Sequence, residues 1–120
     1  MLLFTQLEFK MIYKHFQPDE VVGLDTALVQ KLDSARDLSE VPFIITSGLR
    51  TEANEIAHGR PVPNSHTKGL AVDLRVDNDN WRYEILTSLF AVGFKRVGDE
   101  IDHIHADIDT SEAQNVVWLK

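Results

Sequence analysis

Two segments of this sequence hold residues able to do chemistry together. Ser65-His66-Thr67-Lys68-Gly69-Leu70-Ala71-Val72-Asp73 sets an imidazole and a carboxylate seven positions apart, and His103-Ile104-His105 brings further imidazoles from about thirty residues on. Neutral imidazole and carboxylate form a donor set that suits zinc, and a site with three protein donors keeps its fourth tetrahedral position open to water. Such a site implies a reaction. It lowers the pKa of its water from about 15.7 towards about 7 and polarises a carbonyl oxygen, the two effects that amide hydrolysis needs.

The elements that must position these donors follow from periodicity. Ala71 to Val76 alternates as a strand, with Ala71, Asp73 and Arg75 on one face and Val72, Leu74 and Val76 on the other, so Asp73 projects from the non-core face. A second strand runs from about Asp102 to Ile108, with His103, His105 and Asp107 on one face and Ile104, Ala106 and Ile108 on the apolar one. If the two strands lie antiparallel in one sheet, Asp73 and His105 face one cleft and His66 enters from the loop before the first strand. A general base is then needed. Asp102 and Glu100 are the nearby carboxylates, and Asp102 is preferred because it adjoins the ligand strand. Residues three apart in a regular strand face opposite ways, so Asp102 must lie in a bulge or in the loop before pairing begins.

The remaining chain reads as scaffold. Val21, Leu24, Leu28, Leu32 and Ala35 recur at helical spacing over Val21–Leu38, and a weaker helical pattern covers Thr5–Phe16 until Gln17-Pro18-Asp19 breaks it. Val41–Thr46 reads as a buried strand that delivers Leu49-Arg50 to its end, Thr51 as the cap of a short helix to about Ala57, and His58–Asn64 as a loop. Trp81, Ile85, Leu89 and Phe90 mark a further helix ended by Gly93, and Gly98-Asp99-Glu100 has turn chemistry. His15, His58, Asp107 and Asp109 read as solvated or loop groups, and Trp81 and Trp118 as anchors of the core or its rim.

Composition bounds the function. The 120 residues suit one domain over 1–120, and 43% hydrophobic content fills one core. With no cysteine and five histidines, a transition metal has to be held by His, Asp or Glu. The net charge of −7, from 19 acidic against 12 basic residues, argues against nucleic acid as a partner. No apolar run is long enough to span a bilayer. Met1–Gln6 lacks a basic n-region, so the chain is expected to be made in the cytoplasm without a signal peptide and to act as a monomer.

The two segments together resemble the zinc peptidases of the D-alanyl-D-alanine carboxypeptidase and L-alanyl-D-glutamate endopeptidase group, the M15 family. Ser47-Gly48-Leu49-Arg50-Thr51 is similar to the family's Ser-Gly-x-Arg segment, His66 to Asp73 to its central motif, Gly93-Phe94 to a common Gly-Phe, and His105 to its third ligand. One departure stands out: Ser65 adjoins His66, and Asn64 takes the place of the family's Ser. The resemblance implies His66, Asp73 and His105 as zinc ligands and Asp102 as catalytic base. It implies that Arg50 binds a substrate carboxylate or the developing oxyanion, that His103 helps hold substrate or transition state, and that Ser65 contacts substrate.

The expected fold is α+β: a central antiparallel sheet carrying the metal on one face and helices on the other, as in the D,D-peptidases and the Hedgehog signalling domain. The expected function is zinc-dependent cleavage of the peptidoglycan stem peptide by an endolysin-like enzyme of phage type, released to the bacterial cell wall. An L-alanyl-D-glutamate endopeptidase is favoured over a D-alanyl-D-alanine carboxypeptidase or dipeptidase. The rival from another class is a non-catalytic zinc-containing module that binds the cell wall.

Overall fold

Residues 13–120 are described by a computed structural model. The helix expected over Thr5–Phe16 lies largely outside the described residues, and residues 13–16 are not helical. Pro18–Glu20 forms one 3₁₀ turn, after which α1 covers Thr26–Leu38. The helix expected from Val21 therefore starts later. Asp25 sets that start: its Oδ1 accepts the Ala27 N–H at 2.8 Å, satisfying a donor at the first turn. Leu28, Val29, Leu32 and Ala35 form the buried face.

Of the apolar run Val41–Thr46, only its end pairs, as β1 (Ile45–Ser47), while Val41 and Phe43 plug into the core. Thr51 caps the short helix α2 (Glu52–Ala57), accepting the Asn54 N–H at 3.1 Å. There follow β2 (Ala71–Arg75), α3 (Asp79–Ala91), β3 (Arg96–Asp99), β4 (His103–Asp107) and β5 (Val116–Leu119). Gly98 and Asp99, expected in a turn, belong to β3, so the β3–β4 turn is Glu100–Asp102. Strand β5 has no counterpart among the elements expected from the sequence.

The strands order as β1-β2-β4-β3-β5, antiparallel throughout except for the parallel pair β3 and β5. Val72, Leu74, Val97, Ile104 and Ala106 point to one face, where Leu28, Leu32, Ile85 and Leu89 of α1 and α3 complete the core. The opposite face carries Asp73, His103 and His105, as alternation requires. Among the described residues no helix is long and apolar enough to cross a membrane.

The loop carrying His66 is fixed to α1 by close backbone approach. Gly69 sits at φ 72°, its carbonyl accepts the Asp25 N–H at 2.9 Å, and a Cβ there would fall 2.5 Å from the Gly23 carbonyl oxygen. Gly69→Ala should therefore cost at least about 2 kcal/mol, from the left-handed backbone and the clash together. Urea unfolding checks this, and an unchanged midpoint would contradict the reading.

Candidate metal centre

One transverse row of residues runs across all five strands on the face away from the helices. Ser47 of β1 faces Asp73 of β2, Asp73 faces His105 of β4, His105 faces Gly98 of β3, and Gly98 faces Trp118 of β5. Gly98 is needed at its place, since a Cβ would lie 2.4 Å from the Trp118 ring. The indole thereby comes down beside His105, with ring centroids 5.2 Å apart.

His66 joins this row from the loop before β2. Its Nδ1 lies 2.9 Å from the Gly48 carbonyl, an acceptor only, so that nitrogen carries the proton and Nε2 presents its lone pair to Asp73 Oδ1 at 3.4 Å. His105 is turned the other way: Nε2 donates to Asp107 Oδ2 at 2.7 Å, and Nδ1 lies 3.2 Å from the same Asp73 Oδ1. Tetrahedral ligands at about 2.0–2.1 Å from zinc stand about 3.3 Å from one another, and both observed spacings match that edge. His66, Asp73 and His105 are thus brought together as a three-donor group, with all three ligand atoms within 4.8 Å of one another.

Charge supports the same reading. Burial pushes the Asp73 carboxyl up, but the imidazoles of His105 and His66 beside it outweigh that and hold it well below the usual carboxylate range. Burial pushes His105 down, yet Asp107 and Asp73 raise it to about 9. Without a metal, this imidazole holds a proton between two carboxylates, a position in which a cation is electrostatically favoured.

Arg50 is brought to the site, but its guanidinium faces inward. Nε donates to Ser47 Oγ at 2.7 Å, Nη1 to Glu55 Oε1 at 3.0 Å and Nη2 to Asp73 Oδ2 at 2.8 Å. All three nitrogens are engaged by protein, and the residue orients the carboxylate of a candidate ligand. Glu55, fully buried, accepts Arg60 Nη1 on its other oxygen at 2.8 Å.

A cleft of about 230 Å³ opens over the donors; Arg50, Arg60, Glu100, His103 and Lys120 complete its walls. Glu100 Oε2 lies 3.5 Å from His103 Nε2, which is 3.9 Å from Asp73 Oδ1. Asp102 does occupy the turn before β4, but its carboxylate is 87% exposed and bonds His103 Nδ1 at 2.8 Å; it lines an open pocket of about 350 Å³ that shares Glu100, His103 and Lys120 with the cleft. Arg82 of α3 holds this turn, donating to Asp99 and to the carbonyls of Glu100 and Ile101.

Residues 7–107 match the model of the Peptidase M15 family. The chain belongs to that family. Its fold is similar to the crystal structure of Serratia marcescens L-Ala D-Glu endopeptidase ChiX, with a TM-score of 0.62 and 20% identity over 78% of this chain and 86% of that one. No curated protein sequence matches the chain.

Two other expectations for this M15 peptidase change. Ser65 does not turn to the cleft: its hydroxyl donates to Asp109 Oδ2 at 2.8 Å, beside the Lys68 ammonium at 2.9 Å. Asn64, at the family's Ser place, instead organises the loop, its Oδ1 accepting the Thr67 N–H at 3.0 Å. Asp107 and Asp109, read as solvated or loop carboxylates, are both buried, Asp107 at the end of β4 and Asp109 in the loop that follows it. Arg96 donates to Asp107 Oδ1 at 2.7 Å and stacks over Trp118, so its charge stabilises a carboxylate that in turn fixes His105. The alternation did place Asp107 on the site face, which was the available signal.

Asp107→Asn should lower zinc affinity by about 10–100-fold while a cooperative thermal transition persists. Competition with a chelating dye measures this, and unchanged affinity would show that Asp107 does not tune the ligand. Glu55 gives a pH test. Burial pushes its carboxyl up, but hydrogen bonds from Arg60 and Arg50 outweigh that and bring it from 4.5 to about 2. A lowered folded-state pKa stabilises the fold above 4.5, and the contribution disappears as pH falls through about 2. Glu55→Gln should therefore lose on the order of 2 kcal/mol at neutral pH and much less near pH 2 in denaturant unfolding; an equal loss at both would contradict the ionic role.

Proposed function

We propose that this M15 peptidase is a zinc-dependent hydrolase of the peptidoglycan stem peptide that cleaves an L-alanyl-D-glutamate bond. The observation that carries the reading is the convergence of His66 Nε2 and His105 Nδ1 on Asp73 Oδ1, with the opposite ring nitrogens tied to a carbonyl and a carboxylate. The fold likeness to ChiX, named as an L-Ala D-Glu endopeptidase, supports the choice of bond. The same reading puts its action at the bacterial cell wall, as a single chain in the manner of an endolysin.

Zinc held by His66, Asp73 and His105 would supply a Lewis acid for the scissile carbonyl and acidify the attacking water. The chain's own residues do the rest. Of the two carboxylates near the donors, Glu100 lines the cleft, and we assign it the proton of the attacking water and its return to the leaving amine. His103 presents Nε2 to the cleft between Glu100 and Asp73, placed to donate to charge developing on the substrate. Asp102 acts through His103, fixing the ring by its bond to Nδ1. Arg50 keeps Asp73 oriented, and Asp107 keeps His105 oriented.

Mass spectrometry of fragments released from purified peptidoglycan tests this directly. The zinc-loaded protein should free the amino group of D-glutamate; release of D-alanine instead would move it to the carboxypeptidase class, and no cleavage across several wall chemotypes would leave a binding module. Glu100→Gln should keep zinc and lose about 10²–10⁴-fold in kcat, while Asp102→Asn should lose about tenfold. The reverse order would return the base to Asp102.

A further inference from the structure

We propose that Arg60 selects substrates bearing a free carboxylate beside the scissile bond. The proposal rests on the stem-peptide reading above and extends it to a residue outside the matched motifs. A glutamyl residue has two carboxyl groups and only one continues the peptide, so an L-Ala-D-Glu bond within a stem peptide lies next to a free carboxylate. Some group in the cleft has to meet that charge.

Arg50 is badly placed for this task, because Ser47, Glu55 and Asp73 engage its three nitrogens and its side chain is 21% exposed. Arg60 differs on each count. Its side chain is 47% exposed and lines the same cleft, and among the described residues its guanidinium makes one hydrogen bond, through Nη1 to Glu55. The remaining N–H groups include the fork that binds a carboxylate bidentately.

The residue is also held in advance. Its backbone N–H donates to the Glu55 carbonyl at 2.9 Å, so the chain is pinned to α2 at one end of the side chain while the buried Glu55 carboxylate pins the other. A long flexible cation anchored at both ends loses less freedom on binding than a loose one. Lys120 lines the cleft too, but as a flexible point charge it lacks the planar fork.

The experiment compares the zinc-loaded wild type, Arg60→Gln and Lys120→Gln on a stem peptide and on its analogue with that free carboxylate converted to carboxamide. Wild type should prefer the carboxylate by about tenfold or more in kcat/KM, mostly through KM. Arg60→Gln should bring the ratio of the two kcat/KM values close to one, by lowering kcat/KM for the carboxylate peptide far more than for the carboxamide, in a protein that keeps its wild-type circular dichroism. A preference that survives in Arg60→Gln, or that Lys120→Gln erases instead, overturns the proposal. Should wild type cleave neither peptide, the stem-peptide reading fails by itself. Calorimetric binding of the same pair then judges Arg60: a wild-type preference lost in Arg60→Gln upholds it, and equal binding of the two peptides overturns it.

Discussion

The register of β2 against β4, in which Asp73 faces His105, is the constraint on which the site depends. Side chains alternate along a strand, so a slip of one residue would turn Asp73 and His105 towards the helices and push Val72, Leu74, Ile104 and Ala106 into water. The same hydrophobic pattern that builds the core therefore aims the donors. Burial of Leu74 and Ile104 at 0% exposure under α1 and α3 is what holds two charged groups next to each other on the far face. Fold stability and site geometry are one property here.

Around that pair, ionic contacts form two chains that end on the donors. Arg60, Glu55 and Arg50 lead to Asp73; Arg96 and Asp107 lead to His105. A buried charge is costly unless paired, so each acid in these chains is matched by a guanidinium, and no buried side-chain polar atom among the described residues lacks a partner. The arrangement brings one ring nitrogen of each imidazole to the same carboxylate oxygen, Asp73 Oδ1. It also concentrates positive charge at the cleft wall, where a substrate carboxylate can be met.

The donors were legible from the sequence because they obey local rules. Alternation put Asp73, His103 and His105 on one face, and a seven-residue spacing through Gly69 placed His66 at its edge. What escaped depends on tertiary contact. Gly98 and Asp99 look like a turn by residue type, yet Gly98 is in a strand because the Trp118 ring occupies the space of a side chain. Strand β5 is four residues after a polar loop, too short for a period to show. Arg60 and Glu55 lie in and beside a short helix and loop with no signature, and only the fold shows that Arg60 reaches the cleft and that Glu55 is buried between Arg50 and Arg60. Asp102 lies at the expected backbone position, but its carboxylate turns to the ring of the adjacent His103 and to solvent, a side-chain direction that the backbone position leaves open.

X-ray absorption at the zinc edge, on the metal-loaded protein, tests the three-donor centre most directly. Two imidazoles, one carboxylate and one further light atom at about 2.0–2.1 Å in a four-coordinate shell are the predicted result. A shell with fewer than two imidazoles, or a six-coordinate shell of oxygens, would contradict the assignment of His66, Asp73 and His105 as the metal's ligands.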